Sequence, residues 1–174
     1  MMDQQLVVDA LRSATEAVFS TMLGLEVRSG PPFIETADPG PSPGIIGLVG
    51  LAGAWVGTVS MCCNASMGCC MASQMLGSEF TEVNEEMLDV VSEITNMIVG
   101  GFKTEAEEYL GPLGLSIPTV IYGLNFSARI RGKEHWVVVP FTCGEERIDI
   151  KISLTPNRGL PRLTAIASTH MSHR

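Results

Sequence analysis

Basic residues are scarce in this chain: 11 Lys and Arg stand against 19 Asp and Glu, a formal net charge of -8. A surface that neutralises nucleic-acid phosphates needs the opposite balance, so nucleic-acid binding is excluded as the main role. Long apolar runs are missing too. No stretch reaches the roughly 18 apolar residues that a membrane span needs, and Met1-Met2-Asp3-Gln4-Gln5 lacks the basic-then-apolar order of a secretory signal. The expectation is no membrane association and a cytoplasmic location. The five cysteines, an odd number, lack a disulfide framework. In Cys62-Cys63 and Cys69-Cys70 the neighbours point to opposite faces of a strand or diverge by about 100° on a helix. Neither pair grips one zinc ion as Cys-x-x-Cys does, and no histidine lies nearby in sequence. Buried thiols in a reducing compartment are expected, ahead of a redox or metal-sensing role. His170 and His173 have helical ligand spacing but lack a third ligand. Gly44, Gly47, Gly50 and Gly53 recur every third residue but lack the paired glycines of a nucleotide-binding loop and run into a strand. They fit bulges or close backbone approach instead.

What is present is apolar material for one core. A chain of 174 residues, 45% hydrophobic and 17% charged, makes a single domain; we place it at 1–154, with 155–174 a flexible tail. Leu6, Val7, Ala10, Leu11, Ala14, Val18 and Met22 recur at helical steps, with Asp3 as N-cap and Gly24 as stop, so a helix is expected over 4–23. Leu25 to Arg28 alternates as a short strand. The proline-rich 29–44 reads as a loop or extended edge. Residues 45–63 form a hairpin turning near Ala52-Gly53-Ala54, and Asn64 opens a helix that Gly77 closes. Leu115 to Tyr122 reads as extended, and 128–131, 136–142 and 147–154 as strands joined by tight turns. Runs of strands beside long helices define an α+β class with an antiparallel sheet.

The longest pattern lies over 84–110. Met87, Val91, Ile94, Ile98, Phe102 and Tyr109 fall on one face of a helix, which belongs to a core. Glu86, Asp89, Glu93, Asn96, Gly100, Lys103 and Glu107 fall on the opposite face, among neighbours three and four residues apart. Glu93 and Asn96 therefore stand side by side. The carboxylate accepts hydrogen bonds or pairs with a cation, while the carboxamide donates and accepts at once, as orienting a water molecule requires. Gly100, at a helix-interior cost of about 1 kcal/mol against alanine, leaves room for an approaching partner or for close packing, and Met97 at the edge of this face supplies a soft apolar contact. Acids crowd from Glu79 to Glu108, a field that favours a basic group on any partner.

The run Ser92-Glu93-Ile94-Thr95-Asn96-Met97-Ile98-Val99-Gly100-Gly101-Phe102-Lys103-Thr104, followed by Leu115-Ser116-Ile117-Pro118-Thr119-Val120-Ile121-Tyr122-Gly123, resembles the chemotaxis phosphatase CheX-like family of CheC/CheX-type proteins. That family's signature is Glu, two residues, then Asn on an exposed helix, and the likeness covers most of the chain. The resemblance implies a CheC/CheX-like α+β fold and a hydrolase acting on the aspartyl phosphate of a CheY-type response regulator. It implies that Asn96 enters the regulator's active site and positions a water, and that Glu93 pairs with the regulator's phosphate-contacting lysine. One such pair predicts one site per chain. Asp89, Met97, Gly100 and Lys103 are candidate partner contacts, and Ser92 flanks the pair. No cofactor of the chain's own is implied, Mg2+ being expected on the regulator, together with a homodimer joined through sheet edges, sought in the strands after Asn125. The alternative is a non-catalytic domain that binds a receiver or a flagellar switch component.

Overall fold

The computed structural model describes residues 3–35, 42–126 and 135–159. Helix α1 (Gln4–Val18) starts where expected, because the Asp3 side chain accepts a hydrogen bond from the Gln5 amide at 2.9 Å. It does not run on to Leu23 as an α-helix. Phe19–Leu23 widens into a π turn that Gly24, at φ +62°, brings to an end. Helix α2 (Ala65–Leu76) is capped at both ends as the sequence predicts: Asn64 accepts from the Met67 amide, and Gly77 turns left-handed. Helix α3 (Glu85–Leu110) is the longest element, 26 residues, with Asn84 as N-cap accepting from the Met87 amide.

Among the described residues, eight strands form one antiparallel sheet: β1 (Arg28–Ser29), β2 (Phe33–Glu35), β3 (Ser42–Gly53), β4 (Trp55–Cys63), β5 (Leu113–Leu115), β6 (Thr119–Phe126), β7 (Trp136–Cys143) and β8 (Glu146–Pro156). Across the sheet the order is β1 and β2, then β7, β8, β4, β3, then β5 and β6. Alternation decides which side chains meet the helices. Ile45, Val49 and Leu51 of β3, Val59, Met61 and Cys63 of β4, Val137, Val139 and Phe141 of β7, and Ile148, Ile150 and Ile152 of β8 are all buried in one core with the helices. Their strand neighbours face the other side, where the Lys151 ammonium reaches across β7 to the Glu35 carboxylate at 2.9 Å.

Several expectations need correction. The short strand expected at 25–28 is displaced to Arg28–Ser29, the pair that meets β7. The proline-rich segment, read as a loop or extended edge, takes the second form over Phe33–Glu35, which carries no proline and pairs with β7 as edge strand β2. Strand β3 begins at Ser42 rather than Ile45 and passes through Pro43 by a register shift against β6, a bulge that absorbs a residue with no amide hydrogen. The extended stretch 115–122 is two strands broken at 116–118, where Ser116 leaves β5 and its Oγ accepts from the Gly50 amide. The strands after Asn125 that the structure describes are not sheet edges: β7 and β8 are each paired on both sides, and the edges are β1 with β2 and β5 with β6. Residues 155–157, expected to belong to the tail, are part of the fold: β8 continues to Pro156 and the Asn157 side chain donates to the Gly53 carbonyl at 2.9 Å. The strand and turn expected over 128–134 and the two C-terminal histidines lie outside the described residues.

Candidate functional site

Helix α3 owes its orientation to its own periodicity. Met87, Val91, Ile94, Ile98 and Phe102 are each 0–1% exposed, against β3 and β4 beneath and α1 alongside. Burying such a set contributes on the order of 2 kcal/mol per large side chain, which fixes the roll of the helix. Tyr109, expected on the same face, is half-buried, and its hydroxyl donates to the Leu6 carbonyl of α1 at 3.1 Å. Burial pushes its phenol up to about 12, with Glu105 and Asp9 adding to the effect.

The opposite stripe reaches solvent unevenly. Glu93 and Asp89 are exposed, whereas Asn96, Met97, Gly100, Lys103 and Ser92 are half-buried. Glu93 and Asn96, three residues apart in unbroken helix, thus share the outward side, with Asn96 set lower on its flank. Partners are taken all around them: Thr95 Oγ1 donates to the Val91 carbonyl at 2.7 Å, and Thr104 Oγ1 to the Gly100 carbonyl at 3.0 Å. Among the described residues, the side chains of Glu93 and Asn96 have no hydrogen bond or ion pair of this kind.

Lys103 is placed differently from a free partner contact. Its ammonium lies 2.8 Å from Glu107 Oε1, and the same oxygen accepts from the Leu113 amide at 2.8 Å. The bond from Leu113 foremost, then Lys103, holds the Glu107 carboxyl below the usual carboxylate range. This small network closes the C-terminal end of α3 onto β5. At Gly100 a Cβ would meet nothing within 4 Å, so the site has open space there. Tyr122, which the sequence placed only within an extended stretch, lies opposite Ile45, hence on the helix side of the edge strand β6, and is 44% exposed. Its aromatic surface belongs to an alternation that reads as ordinary strand.

Among the described residues the cysteines belong to no group of three or more potential metal ligands. Cys63 and Cys69 are buried, and burial pushes the Cys63 thiol up to about 12 and those of Cys62, Cys69 and Cys143 upward. Thiols so raised are poor nucleophiles at neutral pH.

One antiparallel sheet, covered on one face by helices of which the longest turns an acid and an amide outward, is an α+β domain of the CheC-like kind. A CheC-like protein from Shewanella sp. PV-4 superposes with a TM-score of 0.79 at 22% identity, over 88% of this chain and 99% of the other. The family model for chemotaxis phosphatase CheX matches residues 45–142, more than half of the sequence. The chain belongs to the chemotaxis phosphatase CheX family. The chemotaxis protein CheX of Vibrio vulnificus is 27% identical, with a TM-score of 0.77 over 86% of this chain and 99% of that one. A structure of a CheX-CheY-BeF3-Mg2+ complex from Borrelia burgdorferi superposes with a TM-score of 0.71 at 24% identity, over 85% and 97% of the two chains. No curated protein matches the sequence. No helix among the described residues is long and apolar enough to cross a membrane.

Proposed function

We propose that this protein hydrolyses the aspartyl phosphate of a CheY-type response regulator, with Asn96 and Glu93 as its catalytic residues. Asn96 enters the regulator's active site and orients a water in line with the phosphorus. The water oxygen forms its bond to phosphorus as the bond to the aspartyl oxygen breaks. The regulator's carboxylate leaves with the electron pair, and the water's proton passes to the departing phosphate or to solvent. An amide is a weak base, but an acyl phosphate is already reactive, and phosphoryl transfer is governed mainly by positioning and charge stabilisation. Glu93 pairs with the regulator's lysine and fixes the docking register. Mg2+ belongs to the regulator in this reading, and this chain contributes no ligand to it. Homodimerisation, implied by family likeness, would use β2 or β6, since these strands lie at the sheet edges.

The observation that carries the reading is the pair itself, one acid and one amide on the outward side of a helix whose other side is sealed into the core. It lies inside the matched segment of a phosphatase family, and a family relative has been crystallised with CheY. The acidic outward face suits a partner that offers a lysine. The test follows phosphate loss from a CheY-type receiver domain phosphorylated with acetyl phosphate, with and without the protein. Acceleration by the wild type that is lost in Asn96→Ala is expected. Unchanged turnover in Asn96→Ala refutes the role, and binding without acceleration by the wild type makes the protein a docking domain instead.

A further inference from the structure

We infer that Gly47 of β3 and Thr95 of α3 form a positioning contact that sets the height and roll of Glu93 and Asn96; the inference rests on the phosphatase reading above. Thr95 lies between the two in sequence and points away from both, roughly 100° round the helix from Asn96 and 160° from Glu93. It is 1% exposed, and its hydroxyl is locked onto the Val91 carbonyl at 2.7 Å. Directly beneath is Gly47, in the middle of the sheet, paired with Met61 on one side and Val120 on the other. A Cβ built on Gly47 would run into Thr95 Oγ1 and would stand 2.9 Å from Thr95 Cβ and 3.1 Å from Cγ2.

Every heavy atom of the threonine side chain therefore uses the space that the missing methyl leaves. The helix meets the backbone of β3 here, at a residue that lies between the two outward groups in sequence. Neither side of the contact has slack. Thr95 is tied to its own helix, and Gly47 is held by β-ladders on both flanks. Lifting α3 at this point would displace Asn96 and Glu93 by a similar distance, since they share one turn of rigid helix with Thr95. Docking, spread over a surface, tolerates a shift of tenths of an ångström, but an in-line water does not: a misplacement of about 1 Å costs on the order of 100-fold in rate. Gly47 and Thr95 touch no substrate and act through the pair above them.

The experiment measures kcat and KM of the full-length protein on the acetyl-phosphate-phosphorylated receiver for wild type, Gly47→Ala, Thr95→Ala and the double variant, with circular dichroism to check the fold. For Gly47→Ala, kcat is expected to fall by about tenfold while KM stays within about threefold. Removing the threonine branch in the double variant should recover part of that loss. A folded Gly47→Ala with kcat within about twofold of wild type overturns the inference, as does a double variant no better than the single. If Gly47→Ala does not fold, Thr95→Ala reads the contact from the other side: reduced kcat at unchanged KM supports it, and unchanged kcat overturns it. A wild type that does not accelerate hydrolysis removes the phosphatase reading and this inference together, whereas failure of the variants alone leaves that reading standing.

Discussion

Gly100 and Gly101 are neighbours in α3 and opposites in surroundings. A Cβ on Gly101 would stand 3.1 Å from Ala14 Cβ of α1, while one on Gly100 would meet nothing within 4 Å. One glycine lets two helices close together; the other leaves a gap at the outward side. The same division runs the length of the helix. Its inner stripe, from Met87 through Phe102 to Leu110, is buried in the core, whereas on its outer stripe Asp89 and Glu93 are exposed, Asn96 and Gly100 are half-buried, and Lys103 and Glu107 are tied down at the C-terminal end. An outward helix surface that carries an acid and an amide at one-turn spacing is where function is to be sought.

Phe102→Ala on the inner stripe should cost about 3–5 kcal/mol of stability by urea denaturation, with no specific effect beyond loss of fold. Asn96→Ala on the outer stripe should move the urea midpoint little and lower kcat on the phosphorylated receiver by roughly 100-fold. If Asn96→Ala instead unfolds the protein, the outer stripe is structural and the division fails. Glu93→Ala is expected to act mainly on docking, raising KM about tenfold and more at low salt than at high. A salt-independent effect would point away from a charge pair.

Gly100→Ala should stabilise by up to about 1 kcal/mol, because the space is free and alanine favours helix. Gly101→Ala should be neutral or destabilising, since Ala14 must give way by a few tenths of an ångström. Thermal melts of both variants decide it, and equal shifts would erase the distinction.

The smallest effect concerns acid. The Glu107 carboxyl is held down in the fold, first by the Leu113 amide and then by Lys103, so the unfolded chain takes up its proton at higher pH than the folded one. The stability it contributes is fully present above the unfolded value of about 4.3 and drains away as pH falls through the folded value. Between neutral pH and about pH 5 the wild type and Glu107→Gln should keep a constant stability difference, which narrows below pH 4.3. A constant difference down to pH 3 would mean that the carboxylate is not held by these partners.

Much of this was legible in the chain because it is local. The caps Asp3, Asn64 and Asn84 each accept a backbone amide within the next three residues, and Gly24 and Gly77 stop helices by turning left-handed. Such bonds depend on a few neighbouring residues. The inward stripe of α3 was equally plain, since a period of 3.6 needs only the helix itself. The proline-rich segment was harder, because prolines mark where ladder bonds are impossible without telling whether three intervening residues, Phe33 to Glu35, will find a partner strand more than a hundred residues later.

The four glycines between 44 and 53 show the same limit. Their spacing spoke for close approach, and the structure agrees, but the approaching groups are the Cys63 carbonyl at Gly44, Thr95 at Gly47, Ser116 at Gly50 and the Pro112 carbonyl at Gly53. None of these pairings is written in the spacing.

Sequence by itself determined the helix, its two stripes, and the placing of Glu93 and Asn96 on the outward one, because side-chain direction along a helix follows from residue number. Tertiary structure alone decided that Asn96 sits half-buried on the flank, that Lys103 is bound by Glu107, and that β7 and β8 are interior while β2 and β6 form edges. Those outcomes depend on which distant segments come to lie side by side, and no local periodicity encodes the identity of a neighbour.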